Sequence, residues 1–296
     1  MLTKSQLKKL AAVCLSYSKS AYTSNGSVDI RRLCEAFDAD LVFRPLLVEG
    51  KIGQRSDGGK TWTVLIDSET YDAGNLDSGE GRNLFRLNNT IAHELVHTLG
   101  FRLSDFQISV SGKDASQLSK DDIEEIEADT EQLSPLLLIP TDAFEGFEND
   151  CTIQRLADVR RRLKVSLGVF INRIKLFDRT GEFNPFRKSA IGIVRKGRFV
   201  DEPFYSDFED GSVPDFLHER ASMAVENVFR DYSNSEEDFV TECTLPAGTF
   251  HSRGVDAMPV RFSVEGTSGG DAIFMIQQTE ALERYVDTNR KFTLEN

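Results

Sequence analysis

The stretch NNTIAHELVHTLGF, residues 88–101, constrains the chain more than any other. It places His93 and His97 four residues apart, with Glu94 between them. On an α-helix, residues i and i+4 share one face about one turn apart, so both imidazoles can reach one tetrahedral zinc ion. The intervening carboxylate then lies beside the zinc's open position, where a water would sit. This is the HExxH pattern of zinc peptidases. The chain has 4 histidines, and half of them fall in this pattern. An amphipathic helix with two incidental histidines is the plainer alternative, and the rest of the chain must choose between them.

A catalytic zinc needs a third protein ligand and an open position. Downstream, DDIEEIEADTEQLSPLLLIP predicts an acidic helix over about 121–134. Its Glu125 and Asp129 share a helical face. Glu125 is the expected third ligand, and Asp129 the expected acceptor from a ligating imidazole. Alone, such a helix reads as a solvated acidic surface, in the manner of Glu124, Glu127 and Glu131. Coupled to HExxH, the ligand reading is favoured.

Around these helices the first half mixes α and β. Helices are predicted over about 3–20 and 28–38, with a strand near LVFRPL. TWTVLID, residues 61–67, alternates as a strand should. It is a candidate for the edge along which an extended substrate would pair, or equally a half-buried core strand. TIQRLADVRRRLK and SLGVFINRIKLF follow as helices, the second with Ser166 as N-cap. After the turn-rich DRTGEFNP (178–185) the pattern becomes strands (SAIGIVRKGRFV, DFVTECTL, MPVRFSVEG, DAIFMIQ) around one helix, VPDFLHERASMAVENVF. The class expected is α+β.

Composition narrows the setting. The first helix is amphipathic, with an apolar run too short for a signal peptide. No stretch approaches the ~18 apolar residues of a membrane span. The expected location is therefore the cytoplasm. Cys14, Cys34, Cys151 and Cys243 show no CxxC pairing and read as reduced thiols. The net charge of −13 hides a basic segment: residues 155–198 hold 13 Lys and Arg against 3 Asp and Glu. Its charges are interleaved with Phe170, Phe177, Phe183, Phe186 and Phe199, the mixture that sequence-tolerant single-strand binding uses. Arg187, Lys188, Arg195, Lys196 and Arg198 are the candidate contacts. A solvated basic face over core phenylalanines explains the same pattern slightly better.

RLNNTIAHELVHTLGF resembles the helix of the ImmA/IrrE metallo-endopeptidases, with Arg86, Thr90 and Ala92 at matching positions. EIEADTEQLSPLLLIP is similar to the family's second block, with Glu125 at the ligand position and Asp129 where Asn is usual. RRLKVSLGVFINRIKLF is similar to the helical region that follows. The resemblance covers about residues 55–180. It implies a gluzincin-like zinc peptidase domain (1–150), a helical HTH-like region (151–182) and a GAF-like C-terminal sensor domain (183–296). In mechanism it implies zinc on His93, His97 and Glu125, with Glu94 as general base. The implied substrate is an Xre-type helix-turn-helix repressor, whose cleavage derepresses stress or antiphage genes. A DNA-damage signal such as single-stranded DNA is the expected trigger. The alternative is a non-catalytic DNA- or repressor-binding sensor with a structural zinc.

Overall fold

The computed structural model describes residues 2–54, 60–79, 83–99, 119–147, 151–180, 182, 186, 189–195, 198–205, 239–245, 260–266 and 271–277. The chain divides into two compact units. One comprises Met1–Glu145 with Val159–Phe183, the other Gly146–Asp158 with Asn184–Asn296.

The first unit opens with helix α1 (Lys4–Ala21), whose Thr3 and Gln6 form a capping box. Leu7, Leu10, Ala11, Cys14, Ser18 and Ala21 make its buried face. Helix α2 (Ile30–Ala36) is capped by Asp29, whose carboxylate accepts from the amides of Arg31 and Arg32. Three strands follow: β1 (Ala39–Arg44), β2 (Gly50–Gln54) and β3 (Trp62–Asp67). They lie in the order β1-β3-β2, with β3 parallel to β1 and antiparallel to β2. TWTVLID is therefore the central strand, with Trp62, Val64 and Ile66 buried. Among the described residues β1 and β2 are the two edges, and β2 is a strand that sequence reading missed.

Short helix α3 (Gly74–Ser78) precedes α4 (Leu84–His97), the histidine helix. Helix α5 (Lys120–Leu138) starts at a Ser119–Asp122 capping box and packs on α4 and α1. It runs one turn beyond the predicted end and carries Pro135 inside it. Pro135 cannot donate to the carbonyl four residues back. Ser134 Oγ donates to that carbonyl, on Glu131, instead. The extra turn buries Leu136, Leu137 and Leu138. Helices α6 (Ile153–Leu163) and α7 (Leu167–Thr180) come next, and the Ser166 side chain caps the amide of Val169 as expected. Helix α7 takes in Asp178–Thr180, which sequence reading gave to a linker.

Arg173 of α7 is fully buried in this unit. Its guanidinium donates to the Ile139 carbonyl at 2.9 Å and to Glu182 at 2.7 Å, and lies 4.3 Å from the Phe177 ring centre. The turn between α6 and α7 is tied to the histidine helix. Lys164, at a positive φ of 56°, accepts from Asn88 Nδ2 through its carbonyl. Its ammonium donates to the Gly79 carbonyl.

The second unit holds a five-stranded sheet in the order β5-β4-β8-β7-β6, with every neighbouring pair antiparallel. Its strands are β4 (Ser189–Arg195), β5 (Arg198–Tyr205), β6 (Phe239–Leu245), β7 (Val260–Gly266) and β8 (Asp271–Gln277). Ile273, Phe274 and Met275 are all buried. Successive strand residues point to opposite faces, so the sheet is covered on both sides there. Phe147 packs edge-on against Phe186, and Arg155 stacks over Phe147. The predicted helix VPDFLHERASMAVENVF lies outside the described residues.

Candidate metal centre

Helix α4 projects His93 and His97 from one face. Their Nε2 atoms lie 3.2 Å apart, with the rings edge to face. The carboxylate beside them comes from α5. Glu127 Oε2 is 2.9 Å from His93 Nε2, and Oε1 is 3.5 Å from His97 Nε2. These three residues bring ligand atoms within 4.8 Å of one another, the arrangement that can hold a metal ion.

The carboxylate that the structure brings to the histidine pair is that of Glu127, where the sequence pointed to Glu125. Each helical residue advances about 100°, so two residues turn a side chain to nearly the opposite face. Glu125 belongs to α5 but not to the histidine cluster. Asp129, the expected imidazole acceptor, has other surroundings among the described residues. It is buried, and Oδ1 accepts from the Leu2 amide at 3.2 Å, while Oδ2 has no hydrogen-bond partner. The imidazole contact falls to its neighbour, with Thr130 Oγ1 lying 3.4 Å from His97 Nδ1. A proton on Nδ1, shared with Thr130, leaves the Nε2 lone pair directed at the cluster.

The donor set fits zinc. Two imidazoles and one carboxylate are a known catalytic ligand set that leaves a fourth position open. Burial and the neighbouring His93 push the His97 pKa below its usual value, Glu127 opposing, so the ring favours its neutral, metal-binding form. Three lone-pair-bearing atoms at such distances repel unless a proton or cation lies among them.

Glu94 stands beside the ligands and is nearly buried. Burial and the charge of Glu127 raise its pKa to about 7, against an opposing hydrogen bond from the Ile52 amide. A carboxyl near neutrality can both take and return a proton at working pH. The Ile52 bond brings edge strand β2 to the site. Gly50 makes that approach possible: a Cβ there would lie 2.7 Å from Thr90 Cγ2 and 3.1 Å from Glu94 Oε1.

Residues 81–175 match the IrrE N-terminal-like domain family, Peptidase_M78. This IrrE-like segment contains α4, α5 and all four residues of the site, and its family is one of metallopeptidases. A solved structure of a Mycobacterium tuberculosis transcriptional regulator is similar at 12% identity and a TM-score of 0.49, covering 91% of this chain and 76% of that one. No curated protein matches the chain. Among the described residues, no helix is long and apolar enough to cross a membrane.

Part of the basic stretch is used inside the fold. Arg173 and Arg160 are buried, and Lys164 is spent on Gly79. Phe170, Phe177 and Phe186 are buried as well, so these rings are closed to stacking on bases. Arg195 and Arg198 are register partners where β4 meets β5. The side chains of Arg195 and Arg198, and the whole of Arg187, Lys188 and Lys196, lie outside the described residues.

Proposed function

We propose that this chain is a zinc-dependent endopeptidase that cleaves a helix-turn-helix repressor. The observation that carries the reading is the convergence of His93, His97 and Glu127 beside Glu94, within a segment matched by a metallopeptidase family. His93 and His97 would hold the zinc through Nε2, and Glu127 through its carboxylate. Bound there, zinc supplies Lewis-acid polarisation of a carbonyl and acidifies a water.

The protein's own part follows from the geometry. Glu94 accepts the proton of the attacking water and returns it to the leaving nitrogen as the peptide bond breaks. The Ile52 amide holds the Glu94 carboxylate in place. Thr130 orients the His97 ring. The edge of β2, unpaired among the described residues, would offer backbone groups to an extended substrate.

The repressor of Xre type, the stress or antiphage genes it would control, and single-stranded DNA as trigger rest on the family resemblance. GAF-like sensing by the second unit rests there too. A cleavage assay tests the whole. Zinc-loaded protein and its Glu94→Gln variant are mixed with the helix-turn-helix repressor encoded nearest to it, with and without single-stranded DNA. Cutting by the parent protein alone is expected. Equal cutting by Glu94→Gln would sink the assignment, and cutting indifferent to DNA would remove the trigger.

A further inference from the structure

Three side chains meet where β2 begins. Glu49 lies one residue before Gly50, and its carboxylate receives both Nε and Nη2 of Arg86 from α4. Tyr71, buried just after β3, donates its hydroxyl to Glu49 Oε2 at 2.6 Å. The same hydroxyl is 3.4 Å from Thr90 Oγ1, and Thr90 is bonded back to the Arg86 carbonyl. A two-pronged guanidinium–carboxylate pair fixes orientation as well as distance. Here it joins the edge strand to the histidine helix, with a buried phenol as third donor.

The register shows what that junction controls. The Glu49 carbonyl accepts from the Asp67 amide, so Glu49 turns its backbone groups toward β3. In an antiparallel pair the direction alternates along the strand. Lys51 and Gly53 therefore also face β3, while Gly50, Ile52 and Gln54 turn their amides and carbonyls to the free edge. The Ile52 amide on that edge is the one that reaches Glu94. Two residues separate the Glu49 anchor from the Ile52 contact, and one of them, Gly50, lies against Thr90 and Glu94.

We propose that Glu49, Arg86 and Tyr71 form a positioning clamp, which holds β2 against α4 and so keeps the Ile52 amide on Glu94. The proposal rests on the peptidase reading for its catalytic consequence, but its structural half stands without it. None of the three residues is a metal ligand, and none is placed to touch the reacting atoms. They act through Ile52 on the base and on the edge that would receive substrate.

Amide exchange resolved at Ile52, in the zinc-loaded full-length chain, tests the clamp. Arg86→Ala is expected to speed exchange at Ile52 roughly tenfold while leaving Val64 and Ile66 of β3 and the zinc content unchanged. Arg86→Lys, which keeps the charge but loses the fork, is expected to recover part of the protection. Tyr71→Phe provides a milder second variant. With a cleavable peptide, Arg86→Ala should lower kcat about tenfold with a smaller change in KM. Unchanged exchange at Ile52, or a rise shared equally by the β3 amides, overturns the clamp. Selective exchange at Ile52 with no cleavage even by the parent protein upholds the clamp and removes the peptidase reading.

Discussion

Glu127 touches both histidines of α4: one carboxylate oxygen lies 2.9 Å from His93 Nε2 and the other 3.5 Å from His97 Nε2. A single side chain from α5 thus closes the group that α4 opens. Glu127→Ala is expected to weaken zinc binding more than about a hundredfold, since a direct ligand outweighs the ~10–100-fold of its supporting partners. Glu125→Ala should stay within roughly threefold of the parent protein, a bound set well below that supporting-partner range. Competition with a chromophoric chelator measures both, and the reverse ranking would restore Glu125 as ligand.

Helix phase explains why the sequence misled at this point. Between residues 121 and 131, α5 carries seven acidic residues, so composition cannot say which one faces α4. The phase is set by packing: Asp129 and Thr130 are buried, and α5 lies against both α1 and α4. The histidine helix, by contrast, was legible because its i, i+4 pattern carries its own geometry. Strand β2 was illegible for another reason. GKIGQ has two glycines and one β-branched residue, a poor strand by propensity, and it becomes a strand by pairing with β3.

Thr130 is the partner of His97 that the sequence did not announce. Thr130→Val keeps the shape and removes the hydroxyl. Zinc affinity is expected to fall about tenfold, with secondary structure unchanged by circular dichroism. Affinity equal to the parent protein's would mean that the 3.4 Å contact orients nothing.

Glu94→Gln separates binding from chemistry. The amide retains the size of the side chain but cannot accept the water's proton. Zinc content should remain at one per chain, while kcat falls by about 10²–10⁴. Loss of zinc in this variant would instead make Glu94 a ligand.

The pair of buried Arg173 and partly buried Glu182 should contribute to acid stability. Burial pushes the Glu182 carboxyl up, but the Arg173 charge and hydrogen bonds from Arg173, Thr141 and Thr180 outweigh it, and its pKa falls below 4.5. A depressed carboxyl contributes fully above its unfolded value and loses that contribution as pH falls through the folded one. Unfolding by urea should therefore become easier below pH 4.5 in the parent protein. Arg173→Met leaves the partly buried Glu182 without its cation and should cost up to about 3–5 kcal/mol near neutral pH. The double change Arg173→Met with Glu182→Leu should recover much of that loss. A single and a double variant of equal stability would show that the charge is not the cause.

Gly50→Ala should force β2 away from α4, because the new methyl meets Thr90 Cγ2 at 2.7 Å. Thr90→Ser removes that carbon and keeps the hydroxyl. The double variant should be closer to the parent protein than Gly50→Ala alone, a coupling of about 0.5–3 kcal/mol in a thermal-unfolding cycle. Strict additivity would mean that the two positions do not meet.

The other glycine of this strand has the opposite surroundings. Among the described residues a Cβ on Gly53 would find nothing within 4 Å, whereas one on Gly50 collides with the helix that carries the histidines. Divergence among descendants of this chain is therefore channelled within five residues. Gly53 can acquire side chains of many shapes, while Gly50 is held to a bare backbone by Thr90 and Glu94 behind it.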